Sequence, residues 1–270
     1  MVNLRFILIA FILSISISLP SYAQSLRIAV SANFAKPVEK LAEIFSRQTP
    51  IDVQITVAST GVLYQQIRHG APFDIFFAAD IRRPQLLEEQ DLVFEEHRKT
   101  YAIGQIALWS AISSTEISLE DLKDYKGRIA IAGPHIAPYG LAAKEALVSS
   151  NLWSKYDDQL IMGNNINQTY QQVFTGAVKF GFISYSQLLD SKVGQGVLID
   201  QTLHHSLEQQ MVVLKNAENI DIASKFFEFI LSKQAQNFLA KHGYLPAITV
   251  PTAPKMQQLN TNVEAIAKEG

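Results

Sequence analysis

Residues 26–45 read LRIAVSANFAKPVEKLAEIF, and this stretch decides the fold. Leu26 to Val30 is a short apolar strand. Phe34, Val38, Leu41 and Phe45 then recur at spacings of four, three and four, the period of a helix with one buried face. The small polar segment Ser31-Ala32-Asn33 joins the two. Pro37 stands in the first turn of the helix, where its missing N–H costs least. A strand that passes straight into a helix through small residues is the repeating unit of α/β architecture.

The same alternation continues along the chain. Ile51 to Val57 alternates as a half-buried strand does, and Leu63 and Ile67 mark a helix that Gly70 ends. Further strands are expected at Asp74–Ala79, Ile103–Ser110, Arg128–Ala132, Phe180–Ser184 and Gln210–Leu214. Helices are expected at Leu141–Val148, Ile166–Phe174 and Ile222–Leu239. This pattern predicts an α/β protein with mainly parallel sheets. Two lobes suit the length better than one core, which stops growing near roughly 250 residues.

The first residues have a different character. A positive start at the amino terminus and Arg5 precedes the apolar run FILIAFILSISISL at 6–19. Pro20 breaks the run, and Ser21-Tyr22-Ala23 places small residues at the −3 and −1 positions of a cleavage site. The pattern predicts a cleaved secretory signal peptide over 1–23 and a periplasmic product. The run is shorter than the roughly 20 residues of a spanning helix. The 270-residue chain carries a formal net charge of −2 and no cysteine. General nucleic-acid binding is disfavoured without a basic footprint. The missing thiols exclude disulfides, thiolate metal sites, a cysteine nucleophile and a lipid-modified cysteine anchor.

Four strand-to-helix junctions share one chemistry. They are Ser31-Ala32-Asn33, Ser59-Thr60-Gly61, Ala137-Pro138-Tyr139-Gly140 and Asn164-Asn165-Ile166. A helix start offers unpaired N–H groups and the positive end of the macrodipole, a ready place for an anion. In open α/β sheets ligands collect at such strand ends. None of the four contains Lys, Arg, His, Asp or Glu, so an anion there would be held by neutral donors. Ser, Thr and Asn are also ordinary N-caps, and each junction alone reads first as a cap. The four together leave capping and oxyanion binding both open.

Catalytic patterns are missing. The six histidines form no HExxH spacing, and there is no GxSxG elbow and no glycine-rich phosphate loop. His204 and His205 read as solvated loop residues. Glu88-Glu89 and Glu95-Glu96 read as solvated helix faces, and Trp109 and Trp153 as packing residues.

Five segments carry a resemblance: AVSANFAKPVEKLAEIF at 29–45, VASTGVLYQQIRHGAPFDIFFAAD at 57–80, TYAIGQIALWS at 100–110, IAGPHIAPYGLAAKEAL at 131–147 and NINQTYQQVFTGAVKFGFISYSQL at 165–188. Together they resemble the periplasmic molybdate-binding proteins, the solute-binding components of ABC transporters. GAPFDIFFAAD and APYGLAAKEAL are the most specific pieces.

The resemblance implies a type II periplasmic binding-protein fold, two α/β lobes joined by a two-segment hinge with the ligand in the cleft. The division expected is a signal peptide at 1–23, lobe 1 at 24–103 plus 210–250, lobe 2 at 104–209 and a polar tail at 251–270. Crossing segments are expected near Thr100–Ser110 and Leu203–Val213. On the family's pattern Asn33, with Ala32 beside it, Thr60, with Ser59 beside it, Tyr139 and the amide of Ile166 fall on ligand positions. Some members place a tyrosine after the G-F-I strand; here Ser184 stands there, followed by Tyr185. Tyr139 takes over that role in a subgroup with the ANF form of the first loop, and Ser184 and Tyr185 stay open.

The implied function is capture of molybdate, and of tungstate, for a membrane permease. No catalysis, cofactor, direct metal ligand or nucleic-acid partner is expected, and the protein is expected to be a monomer. The alternatives are another anion such as sulfate or an organic acid, an enzyme on phosphorylated substrates, and a ligand-sensing module.

Overall fold

The computed structural model describes residues 25–247. The expected signal peptide and polar tail lie outside the described residues. In chain order the first elements are β1 (Ser25–Ser31), α1 (Ala35–Ser46), β2 (Asp52–Ala58), α2 (Thr60–Arg68), β3 (Ile75–Phe77), α3 (Arg82–Glu89) and β4 (Val93–Gly104). The chain then enters a second sheet with β5 (Ile106–Ser110), α4 (Asp121–Asp124), β6 (Ile129–Ala132), α5 (Pro138–Ser149), α6 (Trp153–Tyr156), β7 (Leu160–Gly163), α7 (Ile166–Phe174), β8 (Phe180–Ser184), α8 (Tyr185–Asp190) and β9 (Gln195–Leu198). It returns to the first sheet through β10 (Leu207–Leu214), followed by α9 (Ile220–Leu231) and α10 (Lys233–Lys241).

Each lobe has one five-stranded sheet, ordered β2-β1-β3-β10-β4 in the first and β7-β6-β8-β5-β9 in the second. The sheets are mixed, which corrects the expectation of mainly parallel ones. β1 runs parallel to β2 and β3, and β6 parallel to β7 and β8. The strands that carry the chain between lobes, β10 and β5, pair antiparallel to their neighbours.

Side-chain alternation builds the core on both faces of the first sheet. Ile28, Val30, Ile75 and Phe77 pack with Phe34, Val38, Leu41, Phe45, Phe226 and Phe227 from the α1 and α9 side. Ala29, Phe76 and Val212 face Leu63, Ile67 and Leu87 on the α2 and α3 side. An internal ion pair ties the layers. Asp74, fully buried, accepts from the Arg27 guanidinium at 2.9 and 3.2 Å and from the amides of Arg27 and Glu218 at 2.7 and 2.8 Å.

Several boundaries differ from those expected. The strand expected at 103–110 is two strands in different sheets, divided at Gln105. The segment 93–102, not read as a strand, forms most of β4. It is an edge strand whose exposed Glu95-Glu96 lie on a strand instead of a helix, with Glu96 at φ 59° where the pairing register shifts. The helix expected at 222–239 is broken at Ser232, whose side chain accepts from the amide of Ala235 and starts α10. β7 and β9 had no reading in the sequence, β7 because its four residues carry no alternation. The helix expected from Phe34 opens with a 3-10 turn, Ala32–Phe34.

Gly140 fixes the start of α5. A Cβ there would lie 2.0 Å from the carbonyl oxygen of Ala132 at the end of β6. Gly140→Ala is therefore expected to overpack this contact at a cost of about 1–3 kcal/mol, lowering the melting temperature by several degrees in a circular-dichroism melt. An unchanged melting temperature would contradict the close approach.

Candidate functional site

The four junctions sit at the C-terminal ends of β1, β2, β6 and β7, two adjacent parallel strands in each sheet. The lobes touch here. The amide of Gly61 donates to the carbonyl of Ile136 at 2.9 Å, and the Arg83 guanidinium donates to the carbonyl of His135 at 3.0 Å. Between them lies a small pocket of about 10 Å³. The first lobe lines it with Ser31, Ala32, Asn33, Ser59, Thr60 and Ala79, the second with Ala137, Pro138, Tyr139, Asn165 and Ile166. No lining residue is charged. Asp80 and Arg83 pair with each other outside it.

Hydroxyl groups dominate the first-lobe wall. Ser59 stands at the N-cap of α2, yet its side chain makes no capping bond. Its Oγ is buried and has no hydrogen-bond partner, and the residue is 3 % exposed. Elsewhere Asn165, Ser184, Asn219 and Ser232 each cap their helices in the ordinary way. A buried hydroxyl without a partner is costly, so Ser59 is held for something other than its own helix. Thr60 Oγ1 shares a 2.7 Å bond with Ser31 Oγ and accepts from the amide of Ala79 at 3.3 Å. Two hydroxyls that share one bond retain one O–H hydrogen to give outward.

Backbone donors complete the wall. Ala32 and Asn33 open the 3-10 turn and Ile166 opens α7, so their amides have no partner within their own helices. Asn165 caps α7 by accepting from the amide of Gln168, which accounts for its side chain. Pro138 occupies the first position of α5, leaving Tyr139 to present the first N–H.

Asn33 is placed in the pocket, but its side-chain amide is engaged by the protein. Nδ2 donates to Gln209 Oε1 at 2.8 Å and approaches the hydroxyls of Tyr139 and Tyr244 at 3.4 and 3.5 Å. Tyr139, from the other lobe, accepts from Gln209 Nε2 at 3.1 Å. Burial pushes the Tyr139 phenol well above its ordinary value near 10, with Tyr244 adding to the rise, so Tyr139 remains a neutral donor. Its hydrogen bonds from Gln209 and Asn33 pull the other way.

Of the residues expected from the sequence, Ala32, Asn33, Ser59, Thr60, Tyr139 and Ile166 all line this one pocket. Ser184 and Tyr185 do not. Ser184 forms a capping box with Gln187 at the start of α8, and the amide of Tyr185 donates to the carbonyl of Gln105. Two contributors had not been singled out as site residues, Ser31 and Gln209. Ser31 belongs to the first junction, and its hydroxyl beside Asn33 was the available signal. Gln209 had only its polarity at the head of an apolar strand. A larger space of about 210 Å³ also borders Ala32 and Asn33 and is lined in part by Lys36 and Asp190. It has neither the unpartnered hydroxyl nor the uncharged wall.

Comparison with known proteins bears on this geometry. A family model for bacterial extracellular solute-binding proteins matches residues 26–245. The molybdate-binding protein ModA of Rhodobacter capsulatus is 31% identical over 240 residues, 87% of this chain and 94% of that protein. The protein of the same name from Azotobacter vinelandii is 32% identical over 229 residues, 82% of this chain and 90% of that one. Among solved structures, the periplasmic molybdate-binding protein of Azotobacter vinelandii superposes with a TM-score of 0.78 at 31% identity, over 82% of this chain and 98% of that chain. The sulfate-binding protein SubI of Mycobacterium tuberculosis H37Rv shares the fold, with a TM-score of 0.69 at 12% identity over 84% of this chain and 88% of its own. With its two mixed α/β lobes closed over an uncharged pocket, the chain belongs to the bacterial extracellular solute-binding proteins of the type II fold and, within them, to the molybdate-binding proteins.

Proposed function

We propose that the protein captures molybdate in the periplasm, closes its two lobes around the dianion and delivers it to the membrane permease of an ABC transporter. Tungstate, of the same shape and charge, shares the site. The protein performs no chemistry on its cargo, acts as a monomer and reaches the periplasm through a signal peptide cleaved after Ala23. The moving bodies are the two lobes, hinged where β4 passes into β5 and where the chain returns to β10. The lobe boundaries expected at 103/104 and 209/210 shift to Gln105 and to the start of β10 at Leu207, because Gly104 and Leu207–Gln209 pair within the first sheet.

One observation carries the reading. In a chain of this family, the pocket shared by both lobes is lined only by uncharged residues and holds a buried Ser59 hydroxyl with no protein partner. The proposed donors are the amides of Ala32, Asn33, Tyr139 and Ile166 and the hydroxyls of Ser59, Thr60 or Ser31, and Tyr139. A buried dianion needs hydrogen bonds to replace its hydration, and bonds to a charged acceptor are the strong ones. A lysine or arginine would attract every anion alike, whereas neutral donors leave selection to size and oxygen spacing.

The pocket also argues against other cargo. The space enclosed between the lobes is small, about 10 Å³, far below the roughly 300–1,000 Å³ of sites for organic ligands. Organic acids further call for an arginine clamp, which no lining residue supplies. Phosphate near neutrality carries a proton that needs an acceptor carboxylate, and the wall has none. Sulfate has the right charge, and its smaller tetrahedron leaves some donors out of reach.

Calorimetric titration with molybdate, tungstate, sulfate and phosphate tests this assignment. Molybdate and tungstate are expected to bind alike, sulfate far more weakly and phosphate poorly. The molybdate affinity is expected to be flat from about pH 6.5 to 8.5. Tyr139, with its pKa raised, ionises only above that window, so this donor is intact throughout. Equal affinities for sulfate and molybdate, or a steep pH slope, would refute the assignment.

Ser59→Ala separates binding from folding. The hydroxyl has no protein partner, so its loss is expected to leave the ligand-free melting temperature unchanged or slightly raised. Molybdate binding is expected to weaken by about ten- to a hundredfold, the effect of one hydrogen bond to a charged group. Unchanged affinity would remove Ser59 from the site.

A further inference from the structure

Gln209 lies near the start of β10, where the chain has just returned to the first sheet, and is fully buried. It does not line the pocket. Its side-chain amide nevertheless joins three residues that surround or support that pocket. Oε1 accepts from Asn33 Nδ2 at 2.8 Å and from the Tyr101 hydroxyl at 2.9 Å, and Nε2 donates to the Tyr139 hydroxyl at 3.1 Å. Asn33 Nδ2 and the Tyr101 hydroxyl, whose single hydrogen also has the Ala78 carbonyl at 3.2 Å, turn the amide oxygen toward them and its nitrogen toward Tyr139.

The backbone is shaped for this cluster. Gln209 opposes Ala102 and Gln210 opposes Thr100, so Tyr101 is an extra residue on β4. Such a bulge re-aims a side chain, here toward Gln209. At the hinge, a Cβ on Gly104 would lie 2.2 Å from the Tyr139 hydroxyl and 2.4 Å from Gln209 Nε2. The glycine leaves the space that this pair occupies.

The bonds have a consequence for Tyr139. Its oxygen accepts from Gln209 and, at 3.4 Å, from Asn33, which uses its acceptor capacity. Its own O–H hydrogen has no acceptor within hydrogen-bond distance among the described residues, and Tyr139 lines the pocket. Tyr139 comes from the second lobe, while Asn33, Tyr101 and Gln209 belong to the first sheet and its junction. The cluster therefore exists only with the lobes closed.

We infer that Gln209 is a positioning residue for oxyanion capture: it holds the Tyr139 oxygen as an acceptor, so that the Tyr139 O–H points to the ligand, and it latches the second lobe beside the hinge without touching the ligand. This rests on the oxyanion reading of the same pocket.

Calorimetric titration of molybdate into the wild type, Gln209→Met, Tyr139→Phe and the double variant tests the inference. Each single change is expected to weaken binding by about ten- to a hundredfold. The double variant is expected to bind about as weakly as the weaker single, because both changes remove the same donor. Losses that multiply would overturn the inference, as would a Gln209→Met protein that binds like the wild type. A wild type that does not bind molybdate would overturn the pocket reading as well. Gln209→Glu gives a readout independent of packing. Its carboxylate takes the Tyr139 hydrogen and repels the dianion, whereas its buried acid form, with the pKa raised by burial, restores a donor. Affinity is expected to recover at least about tenfold from pH 8 to pH 6, against a flat wild-type profile. A flat profile in Gln209→Glu would also overturn the inference.

Discussion

An ion enclosed between two lobes loses its hydration, and only hydrogen bonds from the protein can replace it when no countercharge is present. The rest of this structure follows from that constraint. Neutral donors must converge from several directions on one small pocket between the lobes. Helix starts at the ends of parallel strands supply them, because their first amides have no partner within the helix. The two sheets repeat one strand order, with an adjacent parallel pair, β1 and β2 or β6 and β7, facing the cleft in each. Each lobe presents two of the four junctions, and the pocket between them is complete only on closure.

Closure has its own polar contacts, distinct from those available to an ion. The amide of Gly61, second in α2, is committed to Ile136 across the cleft, and Arg83 to His135. Arg83 is neutralised by Asp80, so it joins the lobes without adding net charge beside the pocket. Tyr244 reaches both sides, donating to the carbonyl of Asn33 and bonding Ser186 Oγ at 3.3 Å. The phenols of Tyr101, Tyr139 and Tyr244 are all raised by burial, Tyr244 to about 12, so the cluster beside the hinge stays neutral in the physiological range.

Much of this was legible in the sequence where the signal is local. α7 and β8 have the bounds expected for them, Ile166–Phe174 and Phe180–Ser184, because periodicity and Gly176 mark them on both sides. The pocket was legible as four uncharged strand-to-helix junctions, and Ile166 was named on it through the family resemblance. β4 was not, because an edge strand with the run Glu95 to Lys99 and a residue of positive φ at Glu96 shows no alternation. The break at Ser232 is hidden by apolar residues that keep helical spacing on both sides. Gln209 could not be found by any local pattern, since its partners Asn33, Tyr139 and Tyr101 lie 176, 70 and 108 residues away. The sequence also could not tell a capping hydroxyl from a free one. Only the structure separates Ser184, which caps, from Ser59, which does not.

The central claim is that a tetrahedral dianion sits among the four helix starts. A crystal of the molybdate-soaked protein, measured across the molybdenum absorption edge, tests it most directly. One anomalous peak is expected within hydrogen-bonding reach, through its oxygens, of Ser59 Oγ, the amide of Ile166 and Tyr139. A peak instead in the larger space beside Lys36 and Asp190, or no peak at all, would contradict the account.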